Sequence, residues 1–134
     1  MSETTQAQSR QVFYPSLRYR DARAAIDWLS KTLGFETAMV IDGEGDREIA
    51  HAELRLGAGM IMLGSEPEGG DRWGWHAGQG WIYVAVDDVD ALHDRAKAAG
   101  AEILMELTDT DYGSRDFALR DPEGNLWNFG TYRP

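Results

Sequence analysis

The chain has no cysteine among its 134 residues. Disulfide bonds, thiolate nucleophiles and zinc sites built on cysteine are therefore excluded. Basic residues are scarce as well, because 13 Lys and Arg stand against 23 Asp and Glu and leave a formal net charge of −10. Binding to nucleic acid needs a basic surface, and an anionic membrane repels an acidic one. The composition therefore argues against both kinds of partner.

Long apolar runs are also missing. The longest one, from Trp81 to Val86, is far too short to cross a bilayer. Residues 1–11 are polar and lack the apolar segment of a signal peptide, so they predict a flexible tail on a cytoplasmic protein. Three common catalytic patterns are absent too, namely the G-x-S-x-G elbow, the Gly-rich phosphate loop and the H-E-x-x-H metal motif.

What is present is one pattern that occurs twice. In each copy a short alternating strand ends in Asp, at Leu17–Asp21 and at Val84–Asp88. Each predicted helix that follows ends before a glycine, Gly34 or Gly100, where a left-handed C-cap belongs. The apolar stripe of the first helix consists of Ala22, Ala25, Ile26, Leu29 and Leu33, and that of the second consists of Val89, Leu92 and Ala96. His93 lies off the stripe of the second helix, so we expect it to be exposed.

Three strand-like segments separated by turns follow each helix. They cover residues 37–41, 48–56 and 59–64 in the first copy, and 103–107, 115–120 and 126–131 in the second. Asp121–Gly124 has Pro second and Gly fourth, which predicts a type I turn. The sequence thus predicts an α+β fold with one domain at 12–134, made of two βαβββ modules near 12–66 and 80–134. A Gly-rich linker with two tryptophans, 67–79, joins the modules.

Five segments are more specific than the repeat itself: LRYRD at 17–21, LGFE at 33–36, HAELRLG at 51–57, VDDVDAL at 86–92 and DPEGNLW at 121–127. On the basis of these segments and the βαβββ repeat, the chain resembles the vicinal oxygen chelate superfamily. That superfamily includes glyoxalase I, extradiol dioxygenases, fosfomycin resistance enzymes and bleomycin-binding proteins. The resemblance is strongest to the small bacterial bleomycin-resistance-like branch. It implies two curved sheets that enclose a cavity, and a homodimer.

The same resemblance locates the four metal ligands of those family members that use a metal. They lie on the first and last strand of each module and are usually His and Glu, whereas this chain has Tyr14, Met62, Trp81 and Asn128 there. Indole has no lone pair for a metal, a thioether is a weak ligand, a phenol must lose its proton, and one amide oxygen cannot anchor a site alone. We therefore expect no metal and no cofactor.

Strand alternation predicts an aromatic and methionine-rich cavity wall in place of the metal. Trp73 and Trp75 are placed to cover the cavity or to contact a second copy, and Trp28 and Trp127 fall on helix-packing faces. Such a wall suits a planar, neutral or cationic organic compound, which the protein would bind or sequester. The residues predicted to face the cavity are Tyr14, Arg18, Met60, Met62, Trp81, Tyr83 and Asn128.

His51 and Glu53 leave an enzymatic alternative open. They are two residues apart on one predicted strand, so their side chains should point to the same side. We favour a hydrogen-bonded polar pair that lines the cavity, with Arg18 or Arg55 as its counter-charge. In the alternative, a glyoxalase-like lyase, isomerase or dioxygenase uses the pair in an irregular metal site, with His76 as third ligand, or in metal-free acid–base chemistry.

Overall fold

The two copies of the pattern form two four-stranded sheets in a computed structural model, which describes residues 11–45, 48–67 and 73–134. The strand orders are β1-β4-β3-β2 and β5-β8-β7-β6, and β1–β4 and β5–β8 are the parallel pairs. The predicted α+β fold of two βαβββ modules is confirmed. The first module contains β1 (Ser16–Tyr19), α1 (Ala22–Trp28), β2 (Glu36–Asp42), β3 (Ile49–Leu56) and β4 (Gly59–Ser65), and the second contains β5 (Trp81–Ala85), α2 (Val89–Ala98), β6 (Glu102–Asp109), β7 (Arg115–Arg120) and β8 (Leu126–Gly130).

Both helices begin with the same capping device. The Asp21 carboxylate accepts a hydrogen bond from the Ala24 amide at 3.1 Å, and Asp88 accepts one from the Ala91 amide at 3.0 Å. Gly34 and Gly100 follow the helical segments with φ of +83° and +86°, so the predicted left-handed ends are confirmed. A π-helical turn, Leu29–Leu33, continues α1 and was not predicted from the sequence.

The strand predicted at Val84–Asp88 was placed too far along the chain. In the structure β5 spans Trp81–Ala85 and the sheet ends soon after, because Asp88 has to leave it in order to cap α2. The turn at Asp121–Gly124 is confirmed by a hydrogen bond of 3.0 Å from the Gly124 amide to the Asp121 carbonyl.

One core joins the two modules. Alternate residues of both sheets enter the same buried cluster, and the edge of the Phe35 ring meets Trp127 across the junction, with ring centroids 5.7 Å apart. Trp127 is fully buried and Trp28 packs against the cluster, as the sequence predicted. Because the two sheets share this core through their helix-covered sides, each sheet has a second side that points away from it. We call these sides the outward faces.

The turn before β8 fastens the modules together. The buried Asp121 carboxylate accepts hydrogen bonds from the Tyr19 hydroxyl at 2.6 Å and from Trp127 Nε1 at 3.1 Å. The Glu123 carboxylate accepts hydrogen bonds from the Arg20 and Asp21 amides, at 2.5 and 2.8 Å, where the chain enters α1. Burial first, and the Asp121 charge second, hold the pKa of Tyr19 well above its usual range.

The prediction that His93 is exposed is wrong, because its ring is only 7% exposed. His93 follows Val89 by four residues and precedes Ala96 by three, so it lies on the side of α2 that packs against the sheet. Its Nε2 lies 2.7 Å from a carboxylate oxygen of Glu106, and its ring meets the edge of Phe117.

The two segments predicted to be tail and linker lie partly outside the described residues. Of the tail at 1–11, only Gln11 is described, and its side-chain amide exchanges two hydrogen bonds of 2.7 Å with the backbone of Met60. Of the linker at 67–79, residues 68–72 fall outside the description. Within the described ranges, no helix has the length and apolar character needed to cross a membrane.

Candidate functional site

The outward face of the first module carries the polar half of the predicted site. His51 and Glu53 do point to the same side of β3, with His51 Nε2 2.9 Å from Glu53 Oε2. In the strand register, Met62 lies between Ser16 and Glu53. Met60 lies opposite Arg55 on the same face. This face therefore combines a hydrogen-bonded acid–imidazole pair with flexible, polarisable thioethers.

The expected counter-charge of the pair is not found. Among the described residues, Glu53 forms its ion pair with His51, and neither Arg18 nor Arg55 pairs with it. The guanidinium of Arg18 donates to the Ser65 carbonyl at 3.3 Å instead, because that carbonyl lies next to it across the β1–β4 pair.

A metal site on this pair finds no support in the geometry. The His76 ring lies 3.9 Å from a carboxylate oxygen of Glu66, which gives this histidine a different neighbour from the one expected. In the described part of the chain, no three His, Asp or Glu residues are grouped in a way that could hold a metal ion.

The outward face of the second module is aromatic. Trp81 lies on β5 with 76% of its surface exposed, and Tyr83 is the next outward residue on that strand. The register places Asn128 of β8 between Tyr83 on one side and Ala118 on the other. The Tyr83 hydroxyl donates to the Tyr132 carbonyl at 2.6 Å, and burial is the main cause that raises the pKa of Tyr83. A flat aromatic surface thus borders a single carboxamide.

Asn128 has an unusual hydrogen-bonding state. Its Oδ1 is buried and has no hydrogen-bond partner, the sole case among the side-chain nitrogen and oxygen atoms of the described residues. Most buried polar atoms in proteins are paired, because an unpaired one loses its bonds to water without replacement. The Asn128 oxygen thus has no donor among the described residues, and a ligand can supply one only if the terminal amide turns this oxygen outward.

The structure does not gather all predicted residues around one cavity within a single chain. Arg18, His51, Glu53, Met60 and Met62 belong to one outward face, whereas Trp81, Tyr83 and Asn128 belong to the other. The remaining three aromatic candidates, Tyr14, Trp73 and Trp75, lie outside the strands and are exposed. The Tyr14 hydroxyl donates to the Gln11 carbonyl at 3.1 Å.

A cleft of about 520 Å³ lies between the two modules, and its lining differs from the one predicted for the cavity. One wall is the edge of β5 and the residues after it, Ile82–Asp87, and another is the turn that leads into β4. Of the predicted site residues, Met60 and Tyr83 line it. Ile82 and Val84 line the cleft and also pack against the core. Strand alternation alone cannot distinguish a filled core from one that leaves a space.

A second unpredicted feature lies beside Tyr83. Asp116 is buried on the outward side of β7, where the Ser114 hydroxyl donates to it in a short hydrogen bond and the Tyr112 hydroxyl donates at 3.4 Å. A Cβ atom at Gly130 would collide with this carboxylate and with the Tyr83 hydroxyl, so a larger residue there requires these side chains to move. No sequence signal marks Asp116, since an aspartate near a turn is usually a surface residue.

Comparisons with known proteins place the chain in a family. An uncharacterized protein of Mycobacterium bovis is 33% identical over 122 residues, which cover 87% of this chain and 80% of that protein. The crystal structure of TioX from Micromonospora sp. ML1 matches with a TM-score of 0.79 and 34% identity, over 92% of this chain and all of that one. A bleomycin-binding protein from Streptomyces verticillus, complexed with copper(II)-bleomycin, matches with a TM-score of 0.67 and 26% identity, over 92% and 98% of the two chains. The family model of the glyoxalase/bleomycin resistance protein/dioxygenase superfamily matches residues 11–129, and the chain belongs to that superfamily.

Proposed function

We propose that this protein binds a planar, neutral or cationic organic molecule without the help of a metal, and that it acts by sequestering that molecule in the cytoplasm. The observation that carries the proposal is the outward face of the second module. There Trp81 exposes most of its indole next to Tyr83 and Asn128, at two of the positions where family resemblance puts metal ligands.

The donor set supports binding without a metal. Trp81 has no lone pair to offer, Met62 is a weak ligand, and the Tyr14 hydroxyl is already donated to a backbone carbonyl. Within a single chain these residues also lie on different faces, so one ion could not reach them together there. The residues present do not fit a metal, and no cofactor enters the proposed function.

Aromatic stacking supports a planar ligand. An exposed indole face contributes about 0.5–1.5 kcal/mol when it packs against another ring, and about 0.5–2 kcal/mol when it contacts a cation. The net charge of −10 attracts cations over longer distances and repels anions. Bleomycin-binding proteins are among the chain's structural relatives, and one of them is complexed with bleomycin itself, which supports an organic ligand for this fold.

A second copy of the chain supplies the cover that the ligand needs. Each outward face exposes large apolar side chains, among them Met39 and Ile41 on the first module and Trp81, Met105 and Leu126 on the second. Two chains related by a twofold axis pack the first face of one against the second face of the other, and do so twice. The proposed homodimer thus forms two equivalent cups, each lined by both groups of candidate residues.

Titration with acridine orange, a planar cation, tests the proposal. We expect tryptophan fluorescence to be quenched, and Trp81→Ala to weaken binding about tenfold, the equivalent of ~1.4 kcal/mol. Phe13→Ala removes another exposed aromatic side chain outside the candidate set and serves as the matched control, with binding unchanged. Metal analysis of the purified protein should find less than stoichiometric transition metal. Equal binding by wild type and Trp81→Ala, or preference for a planar anion, would refute the proposal.

One observation favours a second function. The hydrogen bond of 2.9 Å between His51 and Glu53 is the arrangement that orients an imidazole for proton transfer, so metal-free acid–base catalysis is the alternative. Mass spectrometry separates the two functions, because a sequestered compound is recovered unchanged after incubation, whereas a substrate is converted and His51→Gln stops the conversion.

A further inference from the structure

Asn128 lies at the centre of the aromatic outward face, and its unpaired Oδ1 is buried there. β8 is an inner strand of its sheet, and Asn128 has β5 on one side and β7 on the other. Its neighbour on β7, Ala118, has no donor. Its neighbour on β5, Tyr83, has a single hydroxyl proton, and that proton is donated to the Tyr132 carbonyl. The residues beside Asn128 in the sheet therefore cannot satisfy its acceptor.

The other asparagine of the chain shows what a structural amide looks like in this fold. Asn125 is fully buried, its Oδ1 accepts from the Gly80 amide at 2.7 Å, and its Nδ2 donates to Asp121 at 3.0 Å. Both ends of that carboxamide have a partner inside the chain. Asn128, three residues later, has none for its oxygen, and an apolar residue there would fold at lower cost. Its amide is thus better explained by a partner that comes from outside.

The distance to Trp81 fits one molecule that touches both side chains. Asn128 is in register with Tyr83, two residues after Trp81 on the neighbouring strand. With strands about 4.8 Å apart and a rise of about 3.3 Å per residue, the two backbone positions are roughly 8 Å apart. Fused rings that stack on the indole extend far enough to bring an edge atom to the carboxamide. The Oδ1 atom is buried in the ligand-free protein, whereas Asn128 as a whole is only partly buried. Half a turn of the terminal amide exchanges the positions of oxygen and nitrogen, and the inferred contact requires this turn, because it brings the oxygen to the outer position.

We infer that Asn128 recognises a hydrogen-bond donor on the ligand. The molecule that stacks on Trp81 is a fused-ring heteroaromatic compound with a ring N–H, and Asn128 Oδ1 accepts a hydrogen bond from that N–H. This inference rests on the proposed function and specifies the ligand class. Asn128 would then act as a specificity residue, because a ring of the same shape without the N–H leaves the carboxamide oxygen unpaired in the complex.

A matched pair of ligands provides the test. Norharmane is a planar tricyclic compound with one indole-type N–H, and its derivative methylated at that nitrogen keeps the shape but cannot donate. We expect wild type to bind norharmane about tenfold more tightly than the methylated compound. Asn128→Leu should bind the two equally, whereas Asn128→Asp, which keeps an acceptor oxygen, should preserve the preference.

The stability of the ligand-free protein gives a second readout. Asn128→Leu removes an unpaired polar group and should raise the melting temperature, whereas Asn125→Leu breaks two side-chain hydrogen bonds and should lower it. Equal binding of both compounds by wild type, or a fall in melting temperature for Asn128→Leu, would overturn the inference alone. If no planar compound binds at all, with acridine orange included, the proposed function fails together with it.

Discussion

The two modules are nearly the same on their inner sides and different on their outward faces. On the inner side, each module has a helix that begins with an aspartate N-cap and ends before a left-handed glycine. These residues are Asp21 and Gly34 in the first module and Asp88 and Gly100 in the second. Outside, the first module has its acid–imidazole pair already bonded, whereas the second has exposed rings around Asn128. The shared core constrains the inner sides equally. The outward faces are free of that constraint, and there the two modules differ.

The largest effect on the free energy of unfolding is expected at the contacts that hold the two modules together. Asp121→Ala removes a buried acceptor and leaves the Tyr19 hydroxyl and the Trp127 indole N–H without partners. We expect a loss of about 3–5 kcal/mol in the free energy of unfolding, measured by urea denaturation. Asp87→Ala, at an exposed carboxylate paired with Arg133, should cost less than about 0.5 kcal/mol. Similar losses for both variants would show that the junction is not held by this carboxylate.

The next largest effect concerns the pairing of the two outward faces. Met39→Asp on the first face and Met105→Asp on the second each place an unpaired charge in the proposed dimer interface. We expect each to weaken self-association about a hundredfold, or ~3 kcal/mol, measured by sedimentation equilibrium. Ala24→Asp, on the exposed side of α1, is the control and should leave association unchanged. A large effect from only one of the two methionines would contradict a dimer in which each face packs on the other.

The smallest expected effect is on the pKa of Glu106, an exposed carboxylate of β6 that bonds to His93 on α2. The His93 hydrogen bond, and then Lys97, lower the pKa of Glu106 below its ordinary value of 4.5. Because the folded-state pKa is depressed, the stability that this carboxylate contributes is complete above pH 4.5 and is lost as the pH falls through the lowered value. An NMR titration should show the pKa of Glu106 rising in His93→Gln and rising less in Lys97→Met. No change in His93→Gln would contradict the assigned cause.

Much of the scaffold could be predicted because it depends on local chemistry. Asp before a helix and Gly after it act through their own backbone neighbours, and strand alternation correctly placed His51 and Glu53 on one side. The burial of His93 depends instead on the exact rotation of α2 over the sheet. Leu92 packs against the core as predicted, and spacing alone could not show that the neighbouring His93 is buried as well.

The candidate site could be predicted only in part, for the same reason. Sequence located Trp81 and Asn128 on one face, and the structure agrees. It could not show that Asn128 lacks a donor, because that depends on where the Tyr83 hydroxyl goes, and Tyr83 bonds to a residue 49 positions away. Nor could it show that the two groups of candidate residues lie on different sheets of a single chain that face away from the shared core.

The contacts of the turn at Asp121–Gly124 also determine when the protein can fold. Tyr19 and Asp121 are 102 residues apart in the chain, and Glu123 bonds to the backbone at the entry of the first helix. During synthesis the first module emerges long before these partners exist, so the part of its apolar inner side that packs against the second module stays uncovered until the last strand has been made. Contacts of such long sequence separation slow folding, because the intervening chain must be ordered before they form. The modules resemble two units in sequence, yet the chain is expected to fold late and as one.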